Sequence, residues 1–184
     1  MKVKMVKIGL IGFGFMGTTH WGVYQGIKGA KVAAMADLEP AKRKGDISKV
    51  VGNIGGGDNS KPIDLTGVAV YKDGFELIAK ADVDIVDICV PTPCHAELAI
   101  AALVAALRKP EVGGWARASA AGLSPQGGYG VAVEVDRCTK EMALARALMA
   151  CGDAEDVGRR TLESYARDPR GVYAEHANAI LAKY

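Results

Sequence analysis

Cysteine and histidine are scarce in this chain, with four and three residues among 184. Cys89, Cys94, Cys138 and Cys151 form no Cys-x-x-Cys pair and are too few for a disulfide scaffold. No Cys/His spacing suggests zinc, so the sequence predicts no metal. Net charge is small as well: 23 basic against 21 acidic residues leave +2, which points to no nucleic acid or other polyanionic partner. No apolar stretch approaches the ~20 residues that span a bilayer, so no membrane segment is expected. Met1-Lys2-Val3-Lys4-Met5 leads straight into an apolar run, and no leader peptide is expected either. With 49% hydrophobic and 24% charged residues, these absences predict a globular, cytoplasmic protein.

What is present is concentrated near the start. The apolar run Val6-Lys7-Ile8-Gly9-Leu10-Ile11 enters Gly12-Phe13-Gly14-Phe15-Met16-Gly17, a helical stretch follows, and a second apolar run ends on Asp37. Strand, Gly-x-Gly-x-x-Gly, helix, strand and acid, with the acid 20 residues past the third glycine, is the order of a dinucleotide site. Gly12 would allow the sharp turn, Gly14 the approach of a pyrophosphate, and Gly17 close packing of helix on strand. The phosphates would rest on the free N–H groups at the helix start. Asp37 would accept from an adenosine ribose, which favours NAD over NADP. A methyltransferase or flavin site could share the glycines. Lys42, Arg43 and Lys44 fit a 2′-phosphate or simply a solvated helix start.

The remaining pattern alternates strand and helix up to about residue 107. Strands are expected at Lys31–Asp37, Gly67–Tyr71 and Val83–Val90, the last covered on both faces, and helices at Gly74–Lys80 and Ala96–Leu107. A helix start is expected at Glu39–Lys44. Gly45–Pro62 has no period, and its Gly55–Ser60 run reads as a mobile loop. Such repeats predict an α/β Rossmann-type fold, a doubly wound parallel sheet, over residues 1–108. A Gly/Ala/Ser-rich linker is expected over 109–130 and a helical segment over 131–184. Residues 1–110 hold 12 lysines and 2 arginines, whereas 111–184 hold 2 and 7. Folding requires no such switch, which suggests stretches of different coding origin. In the tail, Val131, Val135, Cys138, Met142, Ala145 and Met149 form one apolar stripe. Gly152-Asp153 and Asp168-Pro169 mark helix boundaries. Three acid–base pairs, Glu155/Arg159, Asp156/Arg160 and Glu163/Arg167, should brace the second of three helices.

The run Gly12–His20 with Asp37, Ala81–Ile88 and Val90-Pro91-Thr92-Pro93-Cys94-His95-Ala96-Glu97 resembles the glucose–fructose oxidoreductase / inositol dehydrogenase family, the Gfo/Idh/MocA group. The likeness covers roughly residues 5 to 103. It implies an NAD(P)-dependent oxidoreductase acting on sugars or cyclitols. It also implies that the Pro91–His95 turn lies beside the nicotinamide, with Thr92 and Pro93 lining it. The resemblance thus assigns Gly12, Phe13, Gly14, Phe15, Met16, Gly17, Asp37, Pro91, Thr92, Pro93 and His95 to the cofactor, although His95 also fits a helix-capping role.

The departures are equally specific. Family members follow the helix matching Ala96–Leu107 with a strand ending in Glu-Lys-Pro, whose lysine is catalytic. Here Arg108 stands where the glutamate should be, and Lys109-Pro110 is read as a coincidence. The family's second, sheet-based domain is not matched either, so no catalytic residue is assigned. The leading expectation is an NAD-binding module that is catalytically incomplete in this chain, taking a sugar or polyol only if another chain completes it. A non-catalytic dinucleotide- or partner-binding protein, oligomeric or not, and a truncated or rearranged gene product are the alternatives.

Overall fold

The computed structural model describes residues 5–52, 61–109, 132–153, 155–168 and 171–184, with backbone alone over 132–136. In the first unit, residues 1–98, strands β1 (Val6–Ile11), β2 (Ala30–Ala36), β3 (Ala69–Tyr71) and β4 (Ile85–Ile88) pair in parallel in the order β3-β2-β1-β4. Helix α1 (Phe15–Gly26) crosses from β1 to β2 and α2 (Gly74–Lys80) from β3 to β4. The helix α3 (His95–Arg108) begins in this unit. Chain order reverses between β1 and β4, and that switch point is where a parallel sheet opens a crevice at its strand ends.

Alternation along β1 and β2, reset on β2 where the register between them shifts from Ile8–Val32 to Gly9–Ala34, sorts side chains into two cores. Leu10 and Met35 join Phe13, Val32, Ile47 and Val50 on one face, with Trp21 and Tyr24 of α1 packed against them. Ile11, Ala34 and Ala36 join Leu77, Val83 and Leu98 on the other. α2 starts where the sequence places it because the Asp73 carboxylate accepts from the Glu76 N–H at 2.8 Å, a side-chain cap.

Two expectations are corrected, and one aperiodic segment gains a place. The helix start at Glu39–Lys44 is only a 3-10 turn, Lys42–Lys44, because Gly45 ends it in a left-handed conformation at φ +85°. In the segment after it, Ile47 and Val50 are buried in the core, while the Gly55–Ser60 run lies outside the described residues. β4 is shorter than expected, and among the described residues it ends the sheet order and leaves Ile85 49% exposed, not covered on both faces.

Among the described residues the second unit, residues 99–184, contains the rest of α3 and three helices, α4 (Ala132–Ala150), α5 (Val157–Ala166) and α6 (Val172–Leu181). Cys138, Met142, Ala145 and Met149 of the expected stripe are buried with Leu162, Tyr165, Tyr173, Ala177 and Ile180. The side chains of Val131 and Val135 lie outside the described residues. Val104 and Leu107 of α3 pack with Leu148. α5 starts at Val157, three residues later than expected, yet Asp153 still caps it by accepting from Gly158 and Arg159 N–H at 3.1 and 2.9 Å. For the boundary at Asp168-Pro169, Pro169 lies outside the described residues, and α6 begins after Gly171.

The three expected acid–base pairs do not form. Arg160 donates to the Glu155 carbonyl, Arg167 to the Glu163 carbonyl, and Glu155 pairs with Arg108 at 3.2 Å. Unforeseen in sequence is a buried hydrogen bond from Tyr165 Oη to Glu141 Oε2, 2.5 Å long, joining α5 to α4. Burial first, then this carboxylate, pushes the phenol's pKa up. No helix among the described residues is long and apolar enough to cross a membrane.

Leu162 is fully buried at the centre of the helical core. Leu162→Ala is expected to cost about 2–5 kcal/mol through lost transfer energy and a cavity. A urea titration followed by helical circular dichroism should show the drop.

Candidate functional site

β1 ends by turning at Gly12, whose φ of +91° suits glycine. A Cβ there would also stand 2.7 Å from the Cys89 carbonyl oxygen on β4's continuation. Gly17 is tighter still, because a Cβ on it would overlap the Gly12 carbonyl oxygen. α1 therefore begins against the end of β1. Gly14, between them, is different: a Cβ on it meets nothing within 4 Å. The helix carries no side-chain cap at this end. The N–H groups of its first turn lie beyond the reach of intrahelical carbonyls, and the positive end of its dipole goes with them.

Asp37, one residue past β2, faces the loop. Its Oδ2 accepts from the Phe13 N–H at 2.6 Å, and its Oδ1 accepts from the Glu39 N–H at 2.8 Å. Each oxygen keeps a further lone pair for another donor. Arg43 Nη1 donates to the carbonyls of Asp37 and Leu38 at 2.7 and 2.8 Å, and Lys42 pairs with Glu39 at 2.8 Å.

These groups open on a cleft of about 390 Å³ that lies within the first unit. Of the residues expected at the cofactor, Gly12, Gly14, Asp37 and Pro91 line it. Phe13 does not: its ring is buried, edge-on to Trp21 at 5.6 Å, and only its amide faces Asp37. The Phe15 ring packs against Gly52, Met16 is 49% exposed, and Gly17 sits under the turn. Thr92 and Pro93 form a 3-10 turn outside the cleft lining. His95 is exposed at the start of α3, and its Nε2–H donates to the Val90 carbonyl at 2.7 Å, fastening strand end to helix start. Lining residues not assigned to the cofactor from sequence include Leu38, Gly74 and Phe75, with Cys94 and Glu97 from the motif itself. Cys89 lines it too, its thiol pushed up to about 12 by burial first and by Asp87 next. Lys109 follows α3 directly and no strand precedes it.

Space around the glycines separates their roles. Gly17→Ala is expected to destabilise the first unit by about 1–3 kcal/mol, since backbone must shift to admit the methyl. Gly14→Ala, with open space and an ordinary φ of −80°, should cost under about 1 kcal/mol. Thermal melts of the two variants would make the comparison.

Residues 6–108 match the family described as oxidoreductase family, NAD-binding Rossmann fold, Gfo/Idh/MocA. Inositol 2-dehydrogenase of Rubrobacter xylanophilus is 30% identical over 101 residues, 54% of this chain and 24% of that protein. A glycosyl hydrolase family 109 protein of Shewanella amazonensis is 32% identical over 108 residues, 56% of this chain and 22% of that one. The chain thus spans about a quarter of the length of these curated relatives. Among solved structures, scyllo-inositol dehydrogenase from Lactobacillus casei with bound NAD(H) and scyllo-inositol is 27% identical, with a TM-score of 0.43 over 55% of this chain and 26% of that one. With more than half its length matched, this chain belongs to the Gfo/Idh/MocA oxidoreductase family through its NAD-binding Rossmann fold.

Proposed function

We propose that the chain binds NAD in the cleft at the β1/β4 switch point and provides the cofactor half of an oxidoreductase for a sugar or cyclitol. The observation that carries this reading is the space over Gly14, open at an uncapped helix start and flanked by the Asp37 carboxylate. A pyrophosphate fits there on chemical grounds, because the first-turn amides of Phe15, Met16 and Gly17 donate and the helix dipole attracts the anion. Asp37 is held by two amides before any ligand arrives, so its remaining lone pairs are fixed toward the cleft. They accept from a ribose 2′-hydroxyl and repel a 2′-phosphate.

The basic residues nearby support the same preference. Arg43 is turned onto backbone carbonyls and Lys42 onto Glu39, so neither stands ready for a phosphate. Pro91 at the other end of the cleft faces the nicotinamide in this reading, with Thr92 and Pro93 behind it. When bound, the cofactor supplies the hydride-accepting ring; the chain supplies orientation and charge. No base is assigned in this reading, because among the described residues Lys109 follows α3 with no strand before it.

Calorimetric titration should show tighter binding of NAD than NADP, and Asp37→Ser should narrow the gap. Equal or tighter NADP binding would overturn the preference. Gly14→Val should abolish dinucleotide binding while circular dichroism stays unchanged, because the side chain grows into the open space, where a Cβ meets no protein atom within 4 Å. Unaltered binding would make the glycine turn purely structural.

Turnover is a separate expectation. Hydride transfer from an alcohol needs a positioned base, worth ~10²–10⁴-fold, and walls that hold the carbon near the nicotinamide. Purified chain with NAD and a panel of polyols should give no steady rise in reduced-cofactor absorbance. Steady turnover that Gly14→Val abolishes would refute this and assign the missing half of the site to the helical unit or a second subunit.

A further inference from the structure

A second cluster lies between α1 and β4, and neither the cofactor reading nor the family match assigns it. Asp87 and Cys89 are two residues apart at the end of β4, so their side chains leave the strand on one side. His20 and Tyr24 are four apart on α1 and share a helix face. The two pairs meet. Asp87 Oδ2 accepts from His20 Nδ1 and from Tyr24 Oη, each at 2.8 Å. Cys89 Sγ lies 3.3 Å from His20 Nδ1 and 3.5 Å from Asp87 Oδ1. One imidazole nitrogen, one carboxylate oxygen and one sulfur thus lie within 4.8 Å of one another.

We propose that His20, Asp87 and Cys89 form a site for one zinc-type divalent cation, with Tyr24 orienting Asp87 from outside the coordination shell. The donor set decides the class of ion. A nitrogen, an oxygen and a sulfur suit a borderline-soft cation in tetrahedral geometry. Magnesium and calcium prefer shells of six or more oxygens, and one carboxylate does not provide that.

Distances fit with little movement. Metal–ligand bonds of ~2.0–2.3 Å in a tetrahedron place the ligand atoms roughly 3.3–3.8 Å apart. His20 Nδ1 stands 2.8 Å from Asp87 Oδ2 and 3.3 Å from Cys89 Sγ, and the sulfur stands 3.5 Å from the other carboxylate oxygen. A set of one atom from each residue lies within 4.8 Å, so small side-chain rotations reach that range. The His20 side chain is 38% exposed, so water can take the fourth position. Asp87, at 15%, is sheltered, and the Tyr24 hydroxyl is the kind of outer partner that steadies a ligating carboxylate.

Proton balance is simple. The cation replaces the Cys89 thiol proton, which leaves to solvent, and the imidazole proton moves from Nδ1 to Nε2 so that Nδ1 can ligate. Burial and the Asp87 charge keep this thiol protonated without a metal, and the positive charge of the cation reverses that balance. The bound ion would clip α1 to β4 behind the glycine turn.

The test uses the whole chain, stripped with chelator and titrated with cobalt(II) as a spectroscopic stand-in for zinc. One equivalent per chain should bring up thiolate-to-cobalt charge-transfer absorption, zinc should bleach it, and excess magnesium should not. Cys89→Ser should remove the band, and His20→Gln and Asp87→Asn should each weaken binding at least 10-fold. Tyr24→Phe, which keeps all three ligands, should weaken it by about 10–100-fold. Cys94→Ser and Cys151→Ser should leave the cobalt band as it is. Absence of the band in the wild-type chain would overturn the proposal and leave the cluster a hydrogen-bonded clasp. A band that survives in Cys89→Ser, or vanishes in Cys94→Ser or Cys151→Ser, would overturn it by locating the metal elsewhere. If Cys89→Ser fails to fold, His20→Gln at the more exposed edge decides the matter alone: undiminished affinity refutes the site.

Discussion

A strand that turns within one residue, so that a helix can start almost on its last carbonyl, is the constraint around which the first unit is organised. Gly12 makes the turn, and its carbonyl oxygen takes the room a side chain at Gly17 would need. α1 therefore presents its uncapped first turn at the C-terminal edge of the sheet, where β1 and β4 part. The same turn swings the Phe13 ring into the core against Trp21 and leaves its amide pointing at Asp37. One backbone conformation thus fixes the helix dipole, a core aromatic and the acid at the cleft edge together. They meet at Phe13, whose ring is buried while its amide donates to the Asp37 carboxylate.

Much of this was legible because it rests on spacing. Glycines at 12, 14 and 17 with an acid 20 residues later encode a local geometry that short-range sterics alone dictate. The α2 boundaries were readable for a similar reason, since Asp73 and the glutamate three residues on form their bonds within one turn. Side-chain direction within the loop was not. Phe13, Phe15 and Met16 occupy adjacent motif positions, yet one ring is buried, one packs on Gly52 and the methionine meets solvent. Ile47 and Val50 show the same limit, because an aperiodic segment can still plug a core when the chain folds back over the sheet. Ile85 shows the reverse: an apolar strand residue stays exposed because β4 ends the sheet order, which no window of sequence reports.

In the helical unit the apolar stripe of α4 was visible as a 4-3 repeat, and its described members are buried. The polar partners were misread. Four-residue spacing of acid and base makes a pair available on a helix surface, but exposed pairs gain only about 0.3–0.5 kcal/mol. Arg160 and Arg167 take helix carbonyls instead, where the donor also satisfies a backbone acceptor. The Tyr165–Glu141 bond carries more weight, as both groups are buried and neither can turn to water. Its partners are 24 residues apart, and only the packing of α5 on α4 brings them together.

The site and the clasp behind it meet at the end of β4. The Cys89 carbonyl lies beside Gly12, within reach of the turn, while the Cys89 sulfur faces His20 on α1. α1 is consequently held at two levels: by the glycine contact at its first turn, and by His20 and Tyr24 on the Asp87 carboxylate one and two turns later. Two anchors along one helix fix its direction as well as its position. Direction matters here because a dipole attracts an anion only along its axis, and its effect fades within the first turn. A helix free to rock about Gly17 would keep its fold and lose much of that focus. The hydrogen-bonded carboxylate on β4 is therefore part of what aims the amides of Phe15, Met16 and Gly17 at the cleft.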